Sequence, residues 1–308
     1  MSNAAIRHNE QKSKILTAYA HGFTQAELIG TKVLPIVAET QKNLEVPIFG
    51  QDSFVAVNTE RAVGGTPAEG TSEKVTTTTV NLKEYSYSEK IDRLEYEDGD
   101  TFNLKKSKSR NALQKVLNGQ EARIAAAVND YASYGSGSKE TLTSTDQWTH
   151  ASSDPYSQIM DAIASGRSKL GVAFNTLTMG PDSWNALIQN VKLNQKLSDG
   201  RVGLTNMKAI LQLLDGIENI YVGYGVSRVG TTNSFIWTDN AILSYTTTNK
   251  NPNRFDPSFG FTFQKKGHPY ITESQDQHGN IDYFTAYLQD APTIVSYDAA
   301  YILKDTNA

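Results

Sequence analysis

Between Thr101 and Tyr134 the apolar residues recur at the spacing of a helix. Leu113, Val116, Leu117, Ile124, Val128 and Tyr131 fall at intervals of three, four and seven, and Ala122, Ala125, Ala126 and Ala127 support helicity between them. Roughly 30 residues rising 1.5 Å each predict a helix about 45 Å long, well beyond the usual length. Gly135 and Gly137, in YGSGSKETLTSTDQW, mark its end.

Upstream the period changes. Residues 44–57 (LEVPIFGQDSFVAV) and 74–92 (KVTTTTVNLKEYSYSEKID) are rich in Val, Thr, Tyr and Phe, which fits strands. Between them lies NTERAVGGTPAEGTSE, a loop composition, so the whole predicts a long hairpin. In the second strand Thr76–Thr79 interrupt the alternation, and the apolar positions change parity between Val80, Leu82 and Tyr85, Tyr87. A single strand of this pattern has no continuous apolar face with which to cover a core. With some 15 residues per strand it would reach on the order of 50 Å, and an isolated two-stranded hairpin is marginal in water. Stability supplied by a neighbouring subunit is the expectation. Residues 1–43 scatter Ile15, Leu16, Phe23, Leu28, Ile29, Val33, Leu34, Ile36 and Val37 among polar positions. Pro35 and two glycines break this segment into short helical pieces, with much of it lying extended over something else.

From Asp154 to Phe263 helical and strand-like segments alternate. Ser153 or Asp154 with Pro155 makes an N-cap and first-turn pair for a helix reaching Lys169. Asn175–Met179 is a short strand, and Pro181 and Asp182 begin a helix with Trp184, Leu187 and Ile188 on one side. QKLSDGRVGLT reads as an exposed loop, Thr205–Leu214 as a helix, and Asn219–Val222 and Phe235–Tyr245 as strands. The pattern is α/β or α+β with a mixed sheet.

Composition narrows the function classes. The chain has 308 residues, enough for one large or two ordinary domains. A mean hydropathy of −0.45 fits a soluble polypeptide, and no stretch approaches the roughly 18 consecutive apolar residues of a membrane span. The N-terminal MSNAAIRHNEQKSK has no apolar core of a signal peptide. With no cysteine there are no disulfides, no thiol chemistry and no Cys-ligated metal. A net charge of −4 argues against a dedicated nucleic-acid binder. KKSKSR concentrates Lys105, Lys106, Lys108 and Arg110, which read first as the solvated start of a helix and second as a weak electrostatic contact to enclosed nucleic acid.

No catalytic constellation emerges. His8, His21, His150, His268 and His278 lack HxxxH or HxH spacing. Glu95, Glu97, Asp98 and Asp100 precede a helix and complement its dipole. DQHGN at 276–280 reads as a hairpin turn, and Gly223-Tyr224-Gly225 builds neither GxGxxG nor a P-loop. No catalytic, cofactor or metal site is assigned, and a chain so patterned for folding and so poor in chemistry points to assembly.

The helix beginning DP, the strand and helix of NTLTMGPDSW, LLDGIENIYVGYG, SFIWTDNAILSY and DPSFGFTFQKKGHPYI follow in an order that resembles the major capsid proteins of tailed bacteriophages, which have the Hong-Kong-97 fold. The resemblance runs from about Val46 to the C-terminus, and its specificity lies in the order of short motifs. It implies an α+β fold with an N-terminal arm (1–43), an extended β-hairpin loop (44–92), a peripheral domain with a long spine helix (93–153), an axial α/β domain (154–255) and a return to the peripheral domain (256–308). It also implies a shell subunit rather than an enzyme, forming hexamers and pentamers of an icosahedral head around phage genomic DNA. On this basis Arg61, Glu69 and Lys74 are interface candidates of the extended loop, and Asp199, Gly200 and Arg201 of the axial loop.

The implied partners are a scaffolding protein, a portal, enclosed double-stranded DNA that is not read by sequence, and a decoration protein, with no membrane and no cofactor. The implied location is the virion, after assembly in the host bacterial cytoplasm. The sequence has no long coiled-coil stretch after Met1, so a separate scaffolding protein or a shortened self-scaffolding region is expected. Some such proteins form Lys–Asn crosslinks, and no motif here assigns a pair. An encapsulin-like compartment enclosing a cargo enzyme is the alternative within this fold. A monomeric enzyme or carbohydrate-binding module, suggested by aromatic content alone, is the distant one. Deleting residues 58–73 is expected to leave a folded subunit that fails to form closed particles, as checked by circular dichroism and electron microscopy; normal shells would contradict the extended-loop assignment.

Overall fold

The computed structural model describes residues 8–21, 28–48, 60–61, 76–96, 101–171, 173–199 and 207–307. Its longest helix, Thr101–Val128, follows the predicted periodicity. Ala112, Leu113, Val116, Gln120, Glu121, Ile124, Ala125 and Val128 are buried along one side, the spacing of a single helical face. The helix ends earlier than the expected Tyr134, because its last carbonyls are capped at once. Asn129 Nδ2 donates to the Ala125 carbonyl (2.9 Å), and the buried Tyr134 hydroxyl donates to the Val128 carbonyl (2.7 Å). Tyr131–Ser133 forms a separate 3₁₀ turn.

This helix packs on a six-stranded sheet built around Ile281–Ile294. Along one edge of that central strand, Lys83–Asp92 pairs antiparallel from Asp290 to Ile281. Tyr270–Gln275 and Gly260–Lys265 pair antiparallel with successive stretches of it. They run in the same direction along the opposite edge, separated by the turn at 266–269. DQHGN is a turn as expected: the Asp276 carboxylate accepts from the amides of Asn280 (2.7 Å) and Ile281 (3.1 Å), and Gly279 takes a positive φ of 70°. The described part of the N-terminal segment supplies two outer strands. His8–Lys12 lies antiparallel on Tyr270–Gln275, and Ile36–Glu39 lies parallel on Gly260–Lys265. Between them are the short helices Lys14–His21 and Gly30–Val33. The segment is therefore extended in part, as expected, but over its own subunit.

The expectation of one coreless strand over 74–92 is corrected. Thr76–Asn81 pairs with Asn43–Ile48 in a separate two-stranded sheet, with Leu44 opposite Val80. After Leu82 the chain crosses into the six-stranded sheet as Lys83–Asp92. The change of parity marks the crossover, not a defect within one strand. Leu44, Val46, Val80 and Leu82 are buried with Val37, Phe261, Phe263 and Val295, so the base of the hairpin is anchored in its own subunit. Residues 49–59 and 62–75, which would form the rest of the hairpin, lie outside the described residues.

A second, five-stranded sheet has the order Lys139–Thr141, Ala300–Lys304, Ala241–Ser244, Thr176–Met179, Asn219–Val222. Its outer pairings are parallel and its inner ones antiparallel, which makes it the mixed sheet expected. Helices Pro155–Leu170, Pro181–Gln189, Val191–Asp199 and Met207–Leu213 contribute to its hydrophobic core. Asp154 caps the first, accepting from the Ser157 amide at 3.2 Å, and Gly171 closes it at φ 66°. Two expectations change here. The stretch read as an exposed loop begins as helix, because Leu193 and Leu197 bury one turn apart. The single strand expected over Phe235–Tyr245 is two: Thr232–Phe235 turns back on Val226–Val229, and Ala241–Ser244 enters the five-stranded sheet.

Between these two strands Trp237 is 1% exposed. It reaches the long helix, where its indole Nε1 donates to Glu121 Oε1 at 2.7 Å. Glu121 Oε1 and Oε2 also accept from the backbone amides of Ile29 (2.9 Å) and Gly30 (2.8 Å). A Cβ on Gly30 would lie 2.6 Å from Oε2, so the close approach requires glycine. Gly223 is needed because a Cβ there would overlap the Trp237 indole. Glu121→Ala leaves three buried donors without an acceptor, each worth about 1–3 kcal/mol. Stability should fall by about 3 kcal/mol or more in urea unfolding, with faster amide exchange at residues 29 and 30; an unchanged midpoint would refute the role given to Glu121.

Candidate subunit interfaces

The two-stranded sheet has one buried and one open face. Leu44, Val46 and Val80 point inward, and alternation turns the exposed Asn43, Glu45, Thr77 and Thr79 the other way; Pro47 shares their side but is itself buried. The Leu82 amide donates to the Lys42 carbonyl at 2.9 Å. Alternating from there, the amide positions of residues 43, 45 and 47 point to the free edge, where Pro47 has no N–H to offer. On the open face lies a groove of about 690 Å³, lined by Gln41, Asn43, Glu45, Pro47, Thr77, Arg254 and Phe255.

Phe255 is 59% exposed, yet it sits on an ordered loop. Asp256 Oδ2 accepts from Asn249 Nδ2 (3.0 Å) and from the Asn253 amide (2.9 Å), and the Asp256 amide donates to the Asn253 carbonyl (2.9 Å). The hydrogen bonds from Asn249 and Asn253 hold the Asp256 carboxyl below its ordinary range. Arg254 lies over the Phe255 ring with its guanidinium carbon 5.1 Å from the centroid. An aromatic and an arginine held in fixed position beside a groove are the side-chain types that dominate protein interfaces. A second apolar surface is the hairpin Val226–Val229/Thr232–Phe235, where Val226 opposes Phe235 and both are exposed, with Tyr224 exposed beside them.

The interface candidates named from the sequence are only partly placed. Arg61 is described and exposed. Asp199 is the last residue of the helix Val191–Asp199. Glu69, Lys74, Gly200 and Arg201 lie outside the described residues. The basic cluster forms part of the long helix, and none of its members is without a partner. Lys105 Nζ lies 2.6 Å from Glu273 Oε1 and 3.8 Å from Asp282 Oδ2, and Lys108 Nζ lies 3.9 Å from Glu89 Oε2. Both lysines are directed to carboxylates of the sheet beneath them. Tyr96 donates to Asp282 Oδ2 at 2.5 Å, and burial together with that carboxylate pushes its phenol well up.

The groove and the Asp256 loop were missed from sequence. Their signal was the run NPNRFDPS, whose Asx-turn residues flank an Arg-Phe pair. Among the described residues no group of three or more His, Cys, Asp or Glu is placed to hold a metal ion, and no helix is long and apolar enough to cross a membrane.

No protein-family model matches the chain. It is 27% identical over 299 residues to the major capsid protein of Burkholderia phage BcepMu, spanning 95% of this chain and 96% of that one. It is 28% identical over 265 residues to the major capsid protein of Pseudomonas phage JBD67, spanning 80% of this chain and 79% of that one. Among solved structures, a phage-related protein from Bordetella bronchiseptica RB50 superimposes with a TM-score of 0.79 at 21% identity, covering 97% of this chain and 99% of that one. This last likeness is one of fold.

Asp256→Ala should loosen residues 249–256 in hydrogen exchange while shifting global stability by no more than about 0.5 kcal/mol, as for a surface site. Because the folded carboxyl titrates below its ordinary value, its contribution is fully present above about pH 4. It is lost as pH falls through the lowered folded value. Exchange of the loop that is the same at neutral pH and below that value would contradict this account.

Proposed function

We propose that this chain is the major capsid protein of a tailed bacteriophage, the repeated subunit of an icosahedral shell around packaged DNA. The observation that carries this reading is sequence likeness along nearly the whole chain to a protein of that name. The mixed α+β architecture accords with it. The mechanism is assembly, so the functional groups are surfaces and no reaction is assigned.

In terms of the Hong-Kong-97 fold, residues 1–43 act as the N-terminal arm, 44–92 as the extended loop, 93–153 as the peripheral domain with Thr101–Val128 as its spine, 154–255 as the axial domain, and 256–308 as the return. Segments 93–153 and 256–308 each give one strand to the five-stranded sheet, so the lobes are interleaved in sequence. Arg61, Glu69 and Lys74 contact a neighbour from the extended loop, and Asp199, Gly200 and Arg201 meet symmetry mates at a capsomer axis. Lys105, Lys106, Lys108 and Arg110 offer at most a weak field to DNA, since two of the four are already matched by carboxylates. Hexamers and pentamers assemble with a scaffolding protein and a portal in the host cytoplasm, and a decoration protein binds the finished head. The encapsulin-like alternative shares the fold, but the likeness in sequence is to phage proteins.

Many individually weak contacts repeated around symmetry axes make a closed shell stable while each remains reversible during growth. Negative-stain microscopy of the purified chain, with its scaffolding protein where one is encoded, should show closed particles of uniform diameter. Particles from the natural source should contain double-stranded DNA. A chain that stays monomeric under all these conditions would overturn the shell reading, and an enclosed enzyme in place of DNA would favour the compartment.

A further inference from the structure

Two exposed surfaces of the subunit complement each other. The groove on the open face of the two-stranded sheet combines the exposed Phe255 ring with Glu45. On the hairpin Val226–Val229/Thr232–Phe235, Val226 opposes Phe235 and Arg228 opposes Asn233. Directly opposed residues of an antiparallel pair project to the same side, and positions two apart share a face. Val226, Phe235, Arg228 and Asn233 therefore form one face, and all four are exposed. Among the described residues neither Glu45 nor Arg228 makes an ion pair. The hairpin face thus carries the Arg228 cation beside exposed apolar area, and the groove sets the carboxylate of Glu45 and the guanidinium of Arg254 beside the exposed Phe255 ring.

We propose that this hairpin face of one copy seats in the groove of the next copy, with Val226 and Phe235 against Phe255 and Arg228 on Glu45. The inference rests on the shell reading and extends it to a specific contact. Arg254 keeps its charge while it lies over the Phe255 ring, so the pairing assigned to Arg228 is with the Glu45 carboxylate and not with the groove lining as a whole. The Asp256 hydrogen bonds fix the loop before the partner arrives, so little ordering is required on contact. Because the two surfaces are different patches of one chain, the contact is heterologous and runs head to tail. Such a contact closes into a ring when the rotation per copy divides the full circle, as a capsomer requires.

Opposite-charge contacts of this kind are tested by exchange. Glu45→Arg and Arg228→Glu should each lower the yield of closed shells at least ~10-fold, with circular dichroism of the subunit unchanged, and the double exchange should restore it to within ~3-fold. The chain contains no cysteine, so Thr77→Cys with Asn233→Cys gives a clean background for a short bismaleimide. Assembled shells of the double cysteine chain should yield a ladder of linked subunits, and neither single variant should do so. Normal assembly of both charge variants, failure of the double exchange to restore assembly, or unlinked shells of the double cysteine chain would each overturn the contact. If wild-type shells form in that same experiment, the capsid reading stands without it. A wild-type chain that never assembles overturns both.

Discussion

A buried carboxylate that accepts from three N–H donors holds the centre of this molecule together. Glu121 projects from the long helix and is 2% exposed, and among the described residues its partners are neutral N–H donors. The donors come from the N-terminal segment at Ile29 and Gly30 and from Trp237, which lies between the outer hairpin and the five-stranded sheet. A charge taken from water is tolerated only where its acceptor sites are filled, so these segments must arrive in one arrangement or not at all. Within the same helical turn, Gln120 and Arg123 meet Asp290 of the central strand, which is handled differently. Arg123 binds both of its oxygens at 2.8 Å, and Gln120 donates at 2.8 Å. Burial pushes the Asp290 carboxyl up from its ordinary range, with Arg123 and Gln120 pulling against it. One helix thereby locks to both sheets through adjacent polar side chains, which specify register in a way apolar packing alone does not.

With that junction fixed, the subunit is complete in its cores and selective in what it leaves outside. The exposed aromatic and aliphatic residues discussed above occur at a loop tip and on a two-stranded ribbon, places where a monomer gains nothing from them. The open face of the hairpin base carries polar side chains and a proline on its free edge, so open-ended strand addition is discouraged while side-chain contacts remain available.

Local chemistry was legible in the sequence, and pairing was not. The long helix announced itself through Leu113, Val116, Ile124 and Val128. Asp154-Pro155 marked a helix start, and DQHGN marked a turn, because each of these signals is contained within a few residues. The parity change at Leu82 was visible but was read as a flaw of one strand, since nothing local distinguishes a weak strand from a strand that changes sheets. The strands at His8–Lys12 and Ile36–Glu39 have partners more than 200 positions away, and no window of sequence contains both. Glu121 looks like any solvent-facing helical acid, because its burial depends on Gly30 and Trp237 arriving from opposite ends of the chain. Of the named interface residues, Arg61 and Asp199 fall within the described structure, and the groove built by Glu45 and Phe255 went unnoticed because it joins a strand and a loop some 200 positions apart.

The order in which strands join the six-stranded sheet also bears on biosynthesis. His8–Lys12 and Ile36–Glu39 are made early, but the strands they pair with begin at Tyr270 and Gly260, and the central strand is finished only at Ile294. The five-stranded sheet likewise waits for Ala300–Lys304. Neither sheet can close before these late strands are made, so the early strands pass most of synthesis without their partners. Until then their unpaired edges are open to other chains, which makes the interval before closure the one in which wrong pairing competes with folding.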